Sequence, residues 1–246
     1  MVFKEINTKN IPHINSLLER LNEFNMSEVE KIQRQTFLNW IKKLKLSKNS
    51  IVLSVSVGNG IWDYLAFLHN KTIRKIVATD VIENPVRKND VEILRRIGDW
   101  KFKRVIPEGK LPFKSNSFDL IFHQDVIEHT KKPHLFLSEQ FRVLKKDGFL
   151  IFGTPNLLRP ANIIKLIFNK LHFPVTLGST IELGDCTHIQ EFNSQQIVVM
   201  LKEIGFKDIE VKNCFFGIHL LNIVFKDYLR KDNCNLCHFL MFKCKK

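Results

Sequence analysis

The run IVLSVSVGNGIWDY, residues 51 to 64, constrains this chain more than any other stretch. Ile51 to Val57 is apolar and rich in β-branched residues, Gly58 and Gly60 follow, and a second apolar segment begins at once. That order reads as strand, tight turn and helix. Asp80 lies 20 residues beyond Gly60, at the end of the next apolar run. Glycines let a backbone approach a ligand closely, and an acid at this spacing is placed to accept hydrogen bonds from two ribose hydroxyls.

Similar runs recur at Lys75 to Thr79, Phe102 to Ile106, Phe118 to His123 and Phe149 to Gly153. Helix candidates lie between them, among them the Leu137, Phe141, Leu144 stripe that begins after Pro133 and stops at Asp147-Gly148. Alternation of this kind implies right-handed βαβ units in an α/β, doubly wound, mostly parallel sheet, with ligands at the carboxyl ends of the strands. Ahead of the sheet, residues 27 to 46 read as a helix with a Ser27/Glu30 capping box, and a shorter helix is expected at about 11 to 24. The chain thus divides into an N-terminal helical extension, 1–47, and a main domain, 48–246. From about 155 to 190 the alternation breaks. This cap insertion is expected to act as a lid, with Ile163, Ile164, Leu166, Ile167 and Phe168 packed over the cleft. The same helix, with Lys165 and Lys170 solvated, also suits a membrane surface. A helix at about 193 to 204 and strands at about 206 to 215 and 237 to 244 complete the pattern.

A chain of 246 residues fits one elaborated domain. Its net charge of +13 invites a nucleic-acid partner, but the basic residues are strewn through the sequence, with a local cluster only at Arg95, Arg96, Lys101, Lys103 and Arg104. Without a basic tail or a nucleic-acid motif, charge argues for non-specific stickiness and nucleic acid is not the expected partner. MVFKEINTKN at the N-terminus has no secretory pattern and no apolar run is long enough to span a bilayer, so a cytoplasmic location is expected. The five cysteines do not suggest a disulfide framework. Cys234-Asn235-Leu236-Cys237-His238 formally matches a haem attachment motif and, with Cys244, a weak zinc set; it reads more simply as the approach to a terminal strand.

The third glycine position of a dinucleotide turn is Asp63 here, and a carboxylate at that place would repel a pyrophosphate. S-adenosylmethionine carries no phosphate and has positive charge on its sulfonium and amino groups, so the same acid is harmless to it. At this point the sequence resembles the class I S-adenosylmethionine-dependent methyltransferases, in particular their small-molecule branch, over about residues 50 to 206. VLSVSVGNG stands in the place of the first motif and ATD ends at the ribose-binding acid, Asp80. LPFKSNSFDLIFHQDVIEH, FRVLKKDGFLIFGTPN and HIQEFNSQQIVVMLKEIGF follow in family order.

The resemblance implies a Rossmann-like, seven-stranded sheet, S-adenosylmethionine as cofactor, and a cofactor site drawn from Ser54, Ser56, Gly58, Gly60, Asp80, Glu108 and Asp125. Two departures stand out: Ser54 replaces the family's usual acid and Ser56 its first glycine. The acid after the third strand falls near Pro107 and Glu108. Ser56 allows a close approach provided its φ is not positive.

Methyl transfer to a hydroxyl benefits from a general base, and histidine has a suitable pKa. His129 follows Glu128 beyond the fourth strand, and His188 in THIQEF is carried to the site by the resemblance. Their alternatives are structural: a Glu-His pair that organises a loop, and a structural hydrogen bond. His123 and Asp125 are close in sequence, but no metal triad is expected. The expected function is methylation of a small molecule or glycan, on oxygen, with a lipid-linked acceptor reconciling lid and membrane. The competing expectation is a weak or inactive protein of this fold, or an RNA-associated one.

Overall fold

The computed structural model describes residues 17–21, 26–171, 188–218, 223–224 and 235–246. Seven strands build one sheet: β1 (Ser50–Val55), β2 (Ile73–Asp80), β3 (Asp99–Arg104), β4 (Phe118–Gln124), β5 (Leu144–Pro155), β6 (Lys207–Cys214) and β7 (Phe239–Lys245). Their order across the sheet is β3-β2-β1-β4-β5-β7-β6. β1 to β5 pair in parallel, whereas β7 runs antiparallel to both β5 and β6. Chain order reverses between β1 and β4, which opens a crevice at their carboxyl ends.

The central strands read as continuous apolar runs because both faces of the sheet are covered. Val52, Phe122 and Ile151 belong to one core, with Phe37, Trp40 and Phe67 from helices. Their sequence neighbours Leu53, Ile121 and Leu150 belong to the other, with Leu137, Ile197 and Leu201. Consecutive residues of a strand point to opposite faces, so two helical layers demand two apolar residues in a row.

The helices are α1 (Leu17–Leu21), α2 (Glu28–Lys43), α3 (Ile61–His69), α4 (Lys88–Ile97), α5 (Pro133–Val143), α6 (Pro160–Ile167) and α7 (Ser194–Ile204). α2 starts where Ser27 Oγ accepts from Glu30 N at 3.3 Å. Only half of the expected capping box forms, because the Glu30 carboxylate pairs with Arg20 at 2.7 Å and Arg34 at 3.4 Å instead. At α7 the box is complete, between Asn193 and Gln196. Trp40 Nε1 donates to Glu210 Oε1 at 2.8 Å and Phe37 packs edge-on against Phe122, so α2 shares the core of the sheet. Each such fully buried large side chain contributes roughly 1.5–3 kcal/mol.

α6 departs from expectation. Ile164, Leu166, Ile167 and Phe168 are exposed, and none of the five apolar residues assigned to a lid lines the cleft. The helix is held by its polar first turn, where Asn162 Nδ2 donates to Leu157 O at 3.0 Å and to Glu191 Oε2 at 2.7 Å. The rest of the cap, 172–187, lies outside the described residues. Cys237 and Cys244 are buried core residues rather than exposed ligands, and Asn156 Nδ2 donates to Cys237 O at 2.8 Å; Cys234 is outside the described residues.

Candidate active site

A cleft of about 490 Å³ opens at the carboxyl ends of β1, β2, β3 and β4. Its floor is the turn after β1. Val57 N donates to Thr79 O at 3.0 Å, which carries the β1–β2 ladder one residue past the strand, and Gly60 at φ +82° caps α3. Gly58 has φ +55°, and a Cβ there would meet nothing within 4 Å; its bare side lines the cleft, the close approach that a ligand needs. Gly60 serves the scaffold instead. A Cβ there would stand 3.0 Å from Leu94 Cδ1 of α4, and Gly60 does not line the cleft.

Asp80 ends β2 on the cleft wall. Val81 N and Ile82 N donate to its Oδ1 at 2.8 and 3.4 Å. Burial raises its pKa, while the N–H groups of Ile82, Val81 and Gly58 pull it back. A carboxylate gripped by backbone on one side and facing a cleft on the other suits a pair of ribose hydroxyls.

Three residues other than glycine at this edge adopt left-handed backbone: Ser56 at φ +54° after β1, Glu108 at +52° after β3, and Asp125 at +53° after β4. All three line the cleft. Left-handed φ costs an ordinary residue roughly 1–2 kcal/mol, and such strain gathers where a ligand is gripped. The condition set for Ser56 therefore fails: its backbone is forced positive, because the chain must turn sharply between Val55 and the Val57–Thr79 hydrogen bond. Glu108 accepts through Oε1 from Lys131 N, tying the loop after β3 to the loop after β4.

Ser54 does not reach the cleft. It is buried under the turn, where its carbonyl accepts from Thr79 Oγ1 at 3.0 Å. Beside it lies Asp63, fully buried, accepting from Trp100 Nε1 at 2.6 Å. Burial raises the Asp63 carboxyl to about 7, and hydrogen bonds from Ser54 and Trp100 restrain it. Asp63 thus faces the interior and cannot repel a phosphate, contrary to the role the sequence suggested. In the lining itself Asp80, Glu108, Asp125 and Glu139 outnumber Arg20 and Lys132, a balance compatible with a cationic ligand. Arg20, supplied by α1, had no signal in the sequence.

The far end of the cleft is built from the loop after β4 and the segment before α7. Ile189 N and Gln190 N donate to Glu128 O at 3.0 and 3.3 Å, and Gln190 Nε2 donates to Thr130 O at 2.8 Å. These bonds bring His188 to His129, ring centroids 5.1 Å apart at 79°. His129 lines the cleft; His188 stands behind it, a third exposed. His188 Nδ1 meets Glu191 Oε1 at 2.7 Å. Glu191, missed by sequence reading, is buried and also accepts from Arg159 at 2.6 Å and Asn162 at 2.7 Å. Burial pushes its carboxyl up, but His188, Arg159 and Asn162 together hold it below the usual range.

Glu128 has no exposed surface; Thr154 Oγ1 donates to its Oε2 at 3.0 Å, and Oε1 has no hydrogen-bond partner among the described residues. Burial, then the neighbouring Asp125, raise its pKa well above normal. Asp125 is exposed to the cleft, and the protein atoms crowded about it raise its carboxyl to about 6 against the pull of His188 and Arg20. His123 points the other way, stacked 4.9 Å from Phe152, its pKa lowered to about 3 by burial, a neutral core side chain. The structure brings Glu128, His129 and His188 together, their ligand atoms all within 4.8 Å of one another.

A glycine turn at the switch point of a 3-2-1-4-5-7-6 sheet, opening on Asp80 and an acid-lined cleft, defines a class I S-adenosylmethionine-dependent methyltransferase. Its cofactor is S-adenosylmethionine. Residues 53–152 match the family described as "Methyltransferase domain". It is 23% identical over 211 residues to demethylmenaquinone methyltransferase of Bacteroides fragilis, covering 81% of this chain and 84% of that one. To the mitochondrial 2-methoxy-6-polyprenyl-1,4-benzoquinol methylase of Caenorhabditis elegans it is 25% identical over 194 residues, covering 73% and 66%. Its fold is shared with the crystal structure of an S-adenosylmethionine-dependent methyltransferase of Thermotoga maritima, at TM-score 0.57 and 19% identity over 94% and 98% of the two chains. The enzyme transfers a methyl group from S-adenosylmethionine. No helix among the described residues is long and apolar enough to cross a membrane.

Proposed function

We propose that the enzyme methylates a hydroxyl oxygen of a small acceptor, a glycan or a lipid-linked molecule, and that this hydroxyl loses its proton at the His129–His188 corner. The observation that carries this reading is the 2.7 Å contact between His188 Nδ1 and Glu191. A carboxylate only accepts hydrogen bonds, so His188 Nδ1 donates to Glu191, and Nε2 stands outside that contact. Asp125 and His129 line the cleft wall next to it. Bound S-adenosylmethionine supplies the methyl group as an electrophile on a sulfonium. The chain's own residues do the rest: Asp80 and the turn at Gly58 hold the cofactor, Asp125 borders the reacting end, and the histidines receive the acceptor. The exposed apolar side of α6, joined to the corner through Asn162 and Glu191, supports an acceptor with a lipid portion, as does the polyprenyl group in the name of the nematode relative.

The test is release of S-adenosylhomocysteine with a panel of quinols, phenols and glycans, compared between wild type, His129→Ala and His188→Ala. Loss of a general base lowers turnover by roughly 10²–10⁴, while calorimetry should show cofactor affinity unchanged in both variants. Wild-type turnover in both would refute the role of the corner, and methylation confined to nitrogen or carbon acceptors would refute O-methylation.

A further inference from the structure

We propose that Glu128, His129 and His188 bind a first-row divalent cation at the acceptor end of the cleft. This deepens the reading above, resting on the assignment of that end to the acceptor.

The three ligand atoms lie within 4.8 Å of one another. An ion with bonds of about 2.0–2.2 Å needs its ligands at most about 4.4 Å apart, so small side-chain movements close the set. Geometry of this kind is common on acidic surfaces, but here a second observation points to a ligand. Glu128 has no exposed surface, one oxygen takes the Thr154 hydroxyl, and Oε1 has no hydrogen-bond partner among the described residues. A buried oxygen left in this way destabilises the fold, and a cation would satisfy it.

The surroundings are those of a metal centre as well. Glu191 on His188 Nδ1 leaves Nε2 for the ion, and Glu191 is itself fixed by Arg159 and Asn162 at 2.6 and 2.7 Å. Such an outer carboxylate sets the tautomer and direction of a ligating imidazole. Asp125 and Glu191 both act on Glu128 by like-charge repulsion, which a double positive charge offsets. Two imidazoles with one carboxylate suit Mn²⁺, Fe²⁺, Co²⁺ or Zn²⁺ and disfavour Mg²⁺, which prefers oxygen. Held there by Glu128, His129 and His188, such an ion would orient the acceptor hydroxyl and, by polarising its oxygen, lower the pKa of its proton so that it could leave to solvent through the cleft; in the loaded enzyme the two imidazoles would then act as ligands in place of a free base.

The experiment uses the full chain stripped with a chelator and titrated calorimetrically with MnCl₂, CoCl₂ and MgCl₂, with Co²⁺ also followed by its visible absorption. One Mn²⁺ or Co²⁺ per chain is expected, bound at least about tenfold more tightly than Mg²⁺. Glu128→Gln and His188→Ala should abolish the Co²⁺ spectrum, and Glu191→Gln should weaken binding by about 10–100-fold, the range for an outer-shell partner. Thermal melts and S-adenosylmethionine binding show whether each variant is folded. Absence of Co²⁺ binding by folded, cofactor-binding wild type would overturn the proposal. So would a Co²⁺ spectrum that persists in folded Glu128→Gln and His188→Ala, since it would locate the ion elsewhere, for instance at Cys237 and His238. Metal binding needs no acceptor, so failure of the hydroxyl assignment would show separately, as a loaded enzyme that methylates other atoms.

Discussion

Asp63→Asn should make the protein more stable, and by more at pH 8 than at pH 5. Asp63 is fully buried, accepts from Trp100 Nε1 at 2.6 Å, and has its carboxyl raised to about 7 by burial. In the unfolded chain the same group titrates near 3.9. A raised acid binds its proton more tightly when folded, so its favourable contribution is complete below about pH 4 and is lost as pH rises through about 7. At about 1.36 kcal/mol per pH unit, ionisation in the unfolded state costs the native protein about 1–2 kcal/mol at pH 5 and about 4 kcal/mol at pH 8. Asparagine keeps an oxygen for the Trp100 indole and removes the charge, so both penalties vanish. Urea denaturation followed by tryptophan fluorescence should show the gain from Asp63→Asn growing by about 2–3 kcal/mol between the two pH values, at an unchanged m-value. A gain that is equal at both, or a loss at pH 8, would refute the neutral buried carboxyl.

The same pair reverses a simple expectation about the departed motif. Ser54→Asp, which restores the family's usual acid, puts a second carboxyl against buried Asp63 and should destabilise the fold by several kcal/mol, on the order of 3–5 for an uncompensated buried charge; the exchange Ser54→Asp with Asp63→Ser should recover most of it in the same denaturation assay. For the cofactor, Asp80→Ala should weaken S-adenosylmethionine binding at least about tenfold in calorimetry, because a charge-assisted hydrogen bond is worth roughly 1.5–3 kcal/mol; unchanged affinity would remove Asp80 from the ribose.

Much of the architecture was legible in one dimension. The central strands announced themselves as unbroken apolar runs because both sheet faces are covered, and Gly58, Gly60 and Asp80 showed the turn because their spacing is local. His129 was reached from its place beyond the fourth strand and His188 through family likeness, and the reason they meet is not local: backbone bonds from Ile189 and Gln190 to Glu128 O join segments far apart in sequence. Glu191 was in view, three residues after His188, but its meaning depends on Arg159 and Asn162 arriving from another helix start.

Three matters were decided by tertiary structure alone. Asp63 turns inward because the phase of α3 is set by left-handed Gly60, and Trp100 of β3 is there to receive it. Ser56 takes a positive φ because Val57 must reach Thr79 O, a demand made by the neighbouring strand and invisible at the serine itself. α6 leaves its apolar side outward because its polar first turn is held by Glu191, and that anchor outweighs the apolar pattern that promised a lid. Periodicity reports which residues can be buried together; direction at a strand end or a helix start is set by partners that only folding brings near.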